Sequence, residues 1–311
     1  MQCKEKGISV ITCSVNPELC NQMLESVKNT IGTDFETIIF DNREKKLGIC
    51  QVYNICAKKA SFSYLCFIHE DVILSTTIQH WGVQMIEFAE VTPKCGVIGF
   101  AGGTIAARNY IGWWCDTKGR YRYYDSGING KSRNISDLSY QYNNPENEEF
   151  AKVVTLDGFF LFVSKKIWKE NPFDEEMIKG FHFYDADFSF SVAQRHQNYA
   201  CLITDIYHFS SGNRDRAYYE NVRIFQKKWR DKLPYIIGKQ KVDLIEEINC
   251  ARELFIRTLE NGFTVKDNIK HLLAINGLFF SFIFCLLMPS WIIEKVINKT
   301  YKIVVTYFKG R

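Results

Sequence analysis

Three polar residues interrupt the apolar segment YLCFIHEDVILS, which spans residues 64–75. An unpaired ionised carboxylate is costly in a dry core, so His69, Glu70 and Asp71 need polar partners. Asp71 could bind a divalent cation such as Mg²⁺ or Mn²⁺, since these ions prefer oxygen ligands, next to a bound diphosphate. Glu70, on the opposite face, could support that site or contact a ribose. A purely structural role for the triplet is the alternative.

A second acidic group opens the segment YDADFSFSVAQRHQ (184–197), which is typical of a helix. Asp185 and Asp187 both fall in its first turn, where the helix dipole favours carboxylates. Capping accounts for one of them, and the other could take a proton from an attacking hydroxyl as a general base. His208, at the end of a later strand-like run, is either structural or a metal ligand.

Asp41 follows another strand-like run, ETIIF (36–40). A carboxylate at that position can accept hydrogen bonds from the ribose or base of a nucleotide, and a helix cap or turn is the alternative. The first strand is not followed by G-x-G-x-x-G, and the glycines of GFAGG (99–103) come too late in the chain to supply it. A nicotinamide-binding Rossmann domain is therefore disfavoured.

Strand-like and helix-like runs alternate in the first half of the chain, which predicts an α/β fold with a doubly wound, largely parallel sheet. Strands are predicted at 7–14, 36–40 and 64–74, and helices at 17–30 and 48–60. Ligands bind beyond the carboxyl ends of the strands in such sheets. Ser14, Asn16, Asp41 and the 69–71 triplet are expected at that edge.

The rest of the first 235 residues continues this pattern less regularly. Residues 104–149 are rich in Tyr, Gly, Asn and Ser and predict loops and short strands. The remaining predicted elements are a helix at 79–89, a strand in CGVIGFAGG (95–103), a strand running into a helix at 153–168, a helix at 184–197, a strand at 200–209 and a helix at 218–229.

The composition is that of a globular protein. The 311 residues are 46% hydrophobic and 24% charged with a formal net charge of +4, which indicates neither disorder nor a nucleic-acid partner. The length suits one large α/β domain with an appendage, or two domains. The eleven cysteines contain no C-x-x-C pair and no signal peptide is visible, so reduced thiols in a cytoplasmic protein are expected.

The C-terminal region differs from the rest. Residues 242–259 have the apolar spacing of an amphipathic helix, and residues 272–293 contain no charge, which meets the threshold of about 18–20 residues for a membrane span. A basic, aromatic stretch follows and favours the cytoplasmic face of a membrane. A single crossing would carry that stretch outside, so a segment that dips in near Pro289 or lies in the interface fits better. A buried capping helix is the alternative.

A series of motifs, in order, resembles that of family 2-like glycosyltransferases with the GT-A fold, and is most similar to a bacterial branch with a His-x-Asp metal motif. The resemblance covers roughly residues 7–235 and rests on ISVITCSVN, IIFDN, YNICAKKA, YLCFIHEDV, LDGFFLFVSKKIW, FDEEMIKGFHFYDADFSFSVAQR and YHFSSG followed by YYENVRIFQKKW. It implies a GT-A catalytic domain at residues 1–238, with a nucleotide-binding mixed sheet flanked by helices. The composition of residues 239–311 predicts a C-terminal amphipathic and hydrophobic helical region that associates with a membrane.

The resemblance also implies roles for individual residues. Asp185 matches the catalytic base of inverting members, and Asp71 and His208 match metal ligands, with Mg²⁺ or Mn²⁺ as cofactor. The donor-binding residues implied are Ser14, Asn16, Asp41, Asn54, His69, Glu70 and Asp157. Two positions depart from the family pattern: His69 stands where an aspartate is expected, and Tyr184 where a glutamate commonly precedes the base.

The expected reaction is a single displacement. Asp185 would deprotonate an acceptor hydroxyl that attacks the anomeric carbon of a nucleotide sugar, with inversion, while a metal at Asp71 neutralises the departing diphosphate. Trp113, Trp114 and the tyrosines at 121–124 could stack on sugars, or could pack loops. The protein is expected in the cytoplasm, as a peripheral or monotopic protein at the inner face of the cell membrane. That location favours a glycan or lipid-linked acceptor, as in polysaccharide biosynthesis.

Two other functions remain open from the sequence. A sugar nucleotidyltransferase would share the nucleotide-binding sheet and metal carboxylate, but it calls for a glycine-rich, basic phosphate loop that CSVNPELC (13–20) does not provide. An inactive, membrane-attached glycan-binding or scaffold protein would lack the base or the metal aspartate, and both are present.

Overall fold

The structure is a computed structural model, and it describes residues 6–74, 80–115, 118, 120–127, 141–203, 206–210, 212–238 and 241–286. The strands are β1 (Ile8–Ser14), β2 (Phe35–Asp41), β3 (Tyr64–Ile68), β4 (Val72–Leu74), β5 (Cys95–Gly99), β6 (Ala101–Gly103), β7 (Ile105–Ala106), β8 (Tyr121–Gly127), β9 (Gln141–Asn143), β10 (Phe150–Val153), β11 (Thr155–Leu156), β12 (Phe160–Ser164), β13 (Gln197–Cys201), β14 (Ile206–His208) and β15 (Tyr235–Ile236). The helices are α1 (Pro17–Thr30), α2 (Ile49–Lys59), α3 (Trp81–Val91), α4 (Lys165–Glu170), α5 (Tyr184–Ala193), α6 (Arg216–Lys228), α7 (Leu244–Glu260) and α8 (Val265–Leu286).

The main sheet has seven strands in the order β10-β13-β5-β12-β3-β1-β2. Its β2-β1-β3 part is parallel, as the strand and helix alternation predicts, whereas β12 runs antiparallel to both β3 and β5. The α/β fold with a mixed sheet flanked by helices is therefore confirmed. The sheet is covered on both faces, which is why β3 and β5 are buried along their whole length.

The first helix shows how local sequence sets this frame. Asn16 caps α1 by accepting hydrogen bonds from the backbone N–H groups of Glu18 and Leu19, and Pro17 occupies the first turn, where its missing N–H costs nothing. The buried face of the helix carries Met23 and Val27 onto the sheet.

The predicted single strand at 64–74 is wrong, because the chain leaves the main sheet at residues 69–71. The segment before the break, β3, lies in the main sheet, while β4 joins a second sheet of order β11-β6-β8-β14-β4. The predicted strand at 200–209 is divided in the same way, into β13 of the main sheet and β14 of the second. His69, Glu70, Asp71 and His208 thus lie outside the buried strands of the main sheet, in which their side chains would lack polar partners.

Helix α6 is attached to α5 through a buried charge pair. The Nζ atom of Lys228 lies 2.7 Å from Asp187 Oδ2 and 2.6 Å from Asp174 Oδ2, and the Trp229 indole donates to Asp187 Oδ1 at 2.8 Å. Asp187 thus has the structural role that remained open for one of the two carboxylates at the start of α5.

The C-terminal helices pack on this body. Helix α7 begins with a capping box formed by Asp243 and Glu246, and Glu247 accepts hydrogen bonds from the backbone N–H groups of Arg108 and Asn109. Helix α8 is long and apolar enough to cross a membrane by length and composition, and 28% of its most apolar window is buried. Of the predicted apolar segment at 272–293, the part after residue 286, which includes Pro289, lies outside the described residues, as does the basic stretch that follows.

The Lys228 cluster predicts a loss of stability when its cation is removed. Lys228→Met leaves the Asp187 carboxylate, whose side chain is 3% exposed, without its charge partner, so urea denaturation should show a loss of about 3–5 kcal/mol. Glu220→Ala removes an exposed i,i+4 pair with Arg216 and serves as control, with an expected change below about 0.5 kcal/mol. If the two variants had the same free energy of unfolding, Lys228 would not stabilise the attachment of α6 to α5.

Candidate active site

One cavity of about 500 Å³ brings together four of the ten predicted site residues, namely His69, Asp157, Asp185 and His208. Its wall is formed by the break after β3, the loop before β8, the loop after β11, the start of α5 and the segment after β14. The lining side chains include His69, Trp113, Trp114, Asp157, Phe181, Tyr184, Asp185, His208, Arg214 and Tyr218.

His69, Asp71 and His208 form a compact cluster at the edge of this cavity. Strand β14 runs antiparallel to β4, with His208 paired to Val72, and the Phe209 N–H donates to the Asp71 carbonyl at 2.9 Å. The Asp71 Oδ1 atom therefore lies 3.6 Å from His208 Nε2 and 3.9 Å from His69 Nδ1. One ligand atom from each residue lies within 4.8 Å of the other two, which is close enough for all three to contact one ion.

The protonation states of this cluster suit a cation. Burial opposes ionisation of Asp71, but the hydrogen bond and charge of His208 and the charge of His69 outweigh it and hold the Asp71 pKa at about 2. Burial lowers the pKa of His69 to about 4, against the opposing charge of Asp71. At neutral pH the cluster thus offers a carboxylate and a neutral imidazole, which is the form that ligates metals, so the residues fit a divalent cation.

Asp185 lies in the same cavity with an unusual pKa. Burial, followed by the negative charge of Asp157, raises the Asp185 pKa to about 7. Asp157 is itself held in place by the Trp113 indole, which donates to its Oδ2 at 2.8 Å. A carboxyl group with a pKa near neutrality can accept a proton during a reaction and release it afterwards.

The loop that carries Asp157 approaches α5 because Gly158 has no side chain. A Cβ atom at residue 158 would lie 2.2 Å from the Tyr184 hydroxyl oxygen and 2.8 Å from the Asp185 Cβ. Any other residue would push the loop away from the start of α5. The glycine of the sequence LDGFF is therefore required by close packing rather than by an unusual backbone angle.

Three predicted donor-binding residues meet one another at the end of β1. Glu70 accepts hydrogen bonds from the Ser14 hydroxyl at 2.7 Å and from the backbone N–H groups of Val15 and Asn16. The Asn16 side chain caps α1. Glu70 thus joins the end of β1 to the 69–71 break, and contact of these residues with a donor stays a prediction.

Asp41 and Asn54 have partners elsewhere. Asp41 is exposed beside Ser14 in the β1–β2 register, and the hydrogen bonds and charge of Arg43 lower its pKa to about 2. Asn54 is buried, where it donates to the Phe173 carbonyl and accepts from the Trp168 indole. It lines a separate cavity of about 990 Å³, so the structure gives it a packing role apart from the cluster.

Two cavity residues were not assigned a role by the motifs. Tyr184 contacts His69 directly, with 2.6 Å between the hydroxyl oxygen and Nε2, although the sequence marks it only as a departure from a pattern. Arg214 stacks on Trp114, with its guanidinium carbon 4.2 Å from the ring centroid. A basic residue in the polar run SSGNRD after a strand end is the signal that would have pointed to it. Of the predicted sugar-stacking tyrosines, Tyr123 and Tyr124 are described in their backbone only.

The family of the chain follows from comparison with known proteins. The model of a glycosyltransferase-like family matches residues 9–229, and the chain belongs to this family. Together with the GT-A-like arrangement of its sheet and site, this defines the protein as a glycosyltransferase. No curated protein matches the chain.

Solved structures with a similar fold are distant in sequence. Residues 1–349 of TarS from S. aureus have a TM-score of 0.51 at 14% identity, covering 88% of this chain and 81% of that one. The same TarS fragment in complex with UDP-GlcNAc scores 0.49 at 12% identity, covering 87% and 82%. GalNAc-T7 with UDP, GalNAc and Mn²⁺ scores 0.48 at 10% identity, covering 86% and 55%. The first of these likenesses indicates the fold alone.

Burial and the charge of Asp157 predict a raised titration midpoint for Asp185. In ¹³C NMR of carboxyl-labelled protein, the Asp185 signal should titrate with a midpoint of about 7. Because the Asp157 charge disfavours ionisation of Asp185, Asp157→Asn should move that midpoint to lower pH, while the exposed Asp231→Asn should not. A wild-type midpoint near 4, or one that Asp157→Asn leaves in place, would contradict the electrostatic coupling.

Proposed function

We propose that the protein transfers a sugar, with inversion at the anomeric carbon, from a nucleotide-sugar donor to a hydroxyl of a glycan or lipid-linked acceptor, with a divalent cation as cofactor. The observation that carries this proposal is that His69 and His208, which together with Asp71 could hold a cation, line the same cavity as Asp185, whose pKa burial raises to about 7. These are the two devices that displacement of a diphosphate by a hydroxyl requires.

Asp185 is the proposed general base. Its ionised form accepts the proton of the acceptor hydroxyl as that oxygen attacks the anomeric carbon and the bond to the diphosphate breaks. The raised pKa makes Asp185 a stronger base than an exposed aspartate and places its ionisation near neutral pH. Burial is the main cause of that raised pKa, and the negative charge of Asp157, which is held by Trp113, adds to it.

His69, Asp71 and His208 are the proposed holders of the cation. A divalent cation bound there would supply positive charge to the diphosphate leaving group. The donor set favours Mn²⁺ over Mg²⁺, since Mg²⁺ prefers oxygen ligands and two of the three groups are imidazoles.

Arg214 is a further proposed contact for the diphosphate. Among the described residues that line the cavity it is the one lysine or arginine, and its stacking on Trp114 orients the guanidinium group. The donor-side roles of Ser14, Asn16, Asp41 and Glu70 belong to the same proposal, because these residues lie at the carboxyl ends of β1, β2 and β3.

The alternatives are less well supported by this site. A nucleotidyltransferase needs free backbone N–H groups after the first strand to bind phosphates, and Glu70 occupies those of Val15 and Asn16. An inactive scaffold gives no reason for the raised pKa of Asp185, since keeping a carboxyl group buried beside another is costly without a function.

Replacing the base tests the proposal directly. Asp185→Asn should lower the Mn²⁺-dependent turnover of a nucleotide-sugar panel by about 10²–10⁴-fold, because the amide cannot accept the proton. Thermal-shift titration should show that the variant still binds the donor, and Asp231→Asn should match the wild type in both assays. Wild-type turnover by Asp185→Asn, or no donor bound or turned over by either protein, would contradict the proposed function.

We also propose that α8 binds the membrane surface on its cytoplasmic side. Its large apolar side chains Leu278, Phe279, Phe282 and Leu286 are between 63% and 81% exposed, which is costly in water. The chain continues with the basic, aromatic residues 294–311, whose composition favours an anionic membrane surface.

Charge placed on this apolar surface should release the protein from lipid. In co-sedimentation with phosphatidylcholine and phosphatidylglycerol vesicles, full-length Leu278→Glu/Phe282→Glu should lose most of its bound fraction, because two charges would enter the apolar interface. The control Val91→Glu/Met177→Glu makes the same change at exposed apolar residues elsewhere and should bind like the wild type. Equal binding of all three proteins would refute the proposed membrane surface.

A further inference from the structure

The hydroxyl of Tyr184 lies between two groups of the site. Its oxygen is 2.6 Å from His69 Nε2 and 2.9 Å from the carbonyl oxygen of Gly158. Both distances are those of hydrogen bonds. The two positions that depart from the family pattern, His69 and Tyr184, are thus direct partners.

The donors and acceptors of these two bonds can be assigned. A carbonyl oxygen only accepts, so the single proton of the Tyr184 hydroxyl is used on Gly158. The hydroxyl oxygen must then accept from His69, and the donor is the Nε2–H group. A neutral imidazole that carries its proton on Nε2 has its lone pair on Nδ1.

That lone pair belongs to the nitrogen nearest Asp71. His69 Nδ1 is 3.9 Å from Asp71 Oδ1, the oxygen that also lies 3.6 Å from His208 Nε2. We propose that Tyr184 is a positioning residue that fixes the tautomer of His69, so that Nδ1 faces Asp71 and His208 as a ligand atom. This inference deepens the proposed function and rests on it for the divalent cation that the three residues would bind. The assignment of the His69 tautomer rests on the two hydrogen bonds of Tyr184 and does not depend on the proposed function.

Tyr184 is held rigidly enough for this role. It is 3% exposed, its ring packs against Tyr53 and Phe173 with centroid distances of 5.7 and 6.1 Å, and the missing side chain of Gly158 admits its hydroxyl. A glutamate at this position could accept from His69, but as a carboxylate it could not donate to the Gly158 carbonyl. Tyrosine satisfies both partners.

The tautomer can be measured on the metal-free, full-length protein labelled with ¹⁵N-histidine. Long-range ¹H–¹⁵N spectra, with the His69 signals assigned by their loss in His69→Gln, should show a protonated Nε2 and an unprotonated Nδ1. A wild-type His69 protonated on Nδ1 would overturn the inference, whatever the stability of the variants.

Tyr184→Phe then tests the consequence. Without the hydroxyl, His69 should lose its single tautomer, and the Mn²⁺ affinity measured by calorimetry without donor should fall by about 10–100-fold. Tyr110→Phe removes the hydroxyl of another buried cavity tyrosine, one bonded to Thr155, and should leave both readouts unchanged. A variant Tyr184→Phe that binds Mn²⁺ as tightly as the wild type would refute the positioning role. A wild type that shows the expected tautomer but binds no Mn²⁺ would support the assignment and refute the metal in the proposed function.

Discussion

The site depends on the point at which the chain leaves its main sheet. Strand β3 is buried at all five residues, so it cannot continue through three polar side chains without desolvating them. The break at residues 69–71 moves β4 into the second sheet, where it pairs with β14 and receives His208 beside Asp71. The cluster of His69, Asp71 and His208 therefore forms only because the chain changes sheets at residues 69–71 and brings β14 beside β4.

The same break is connected to Asp185, the proposed base. The His69 N–H donates to the Phe159 carbonyl at 3.0 Å, and the Tyr184 hydroxyl joins the His69 ring to Gly158. Tyr184 and Asp185 open α5 together, so the cluster of His69, Asp71 and His208 and the proposed base are both connected to one short loop, residues 157–159. A change in that loop should affect both groups at once.

The sequence was sufficient for features with a local cause. Strand and helix alternation predicted the parallel part of the sheet. The position of Asp185 in the first turn of a predicted helix marked it as a candidate base, and that role stays a prediction. The sequence was insufficient for features that depend on a partner distant along the chain. The residues near position 64 do not indicate that β4 will pair with β14, and those near Asn54 do not predict its hydrogen bonds to the backbone of Phe173.

The most direct measurement of the central claim is anomalous diffraction from crystals of the full-length protein grown with Mn²⁺ and UDP. The account predicts one Mn²⁺ peak bounded by His69 Nδ1, Asp71 and His208, with the diphosphate on the side of the cavity that holds Asp185. An ion bound elsewhere, or a diphosphate seated in the separate cavity beside Asn54, would contradict it.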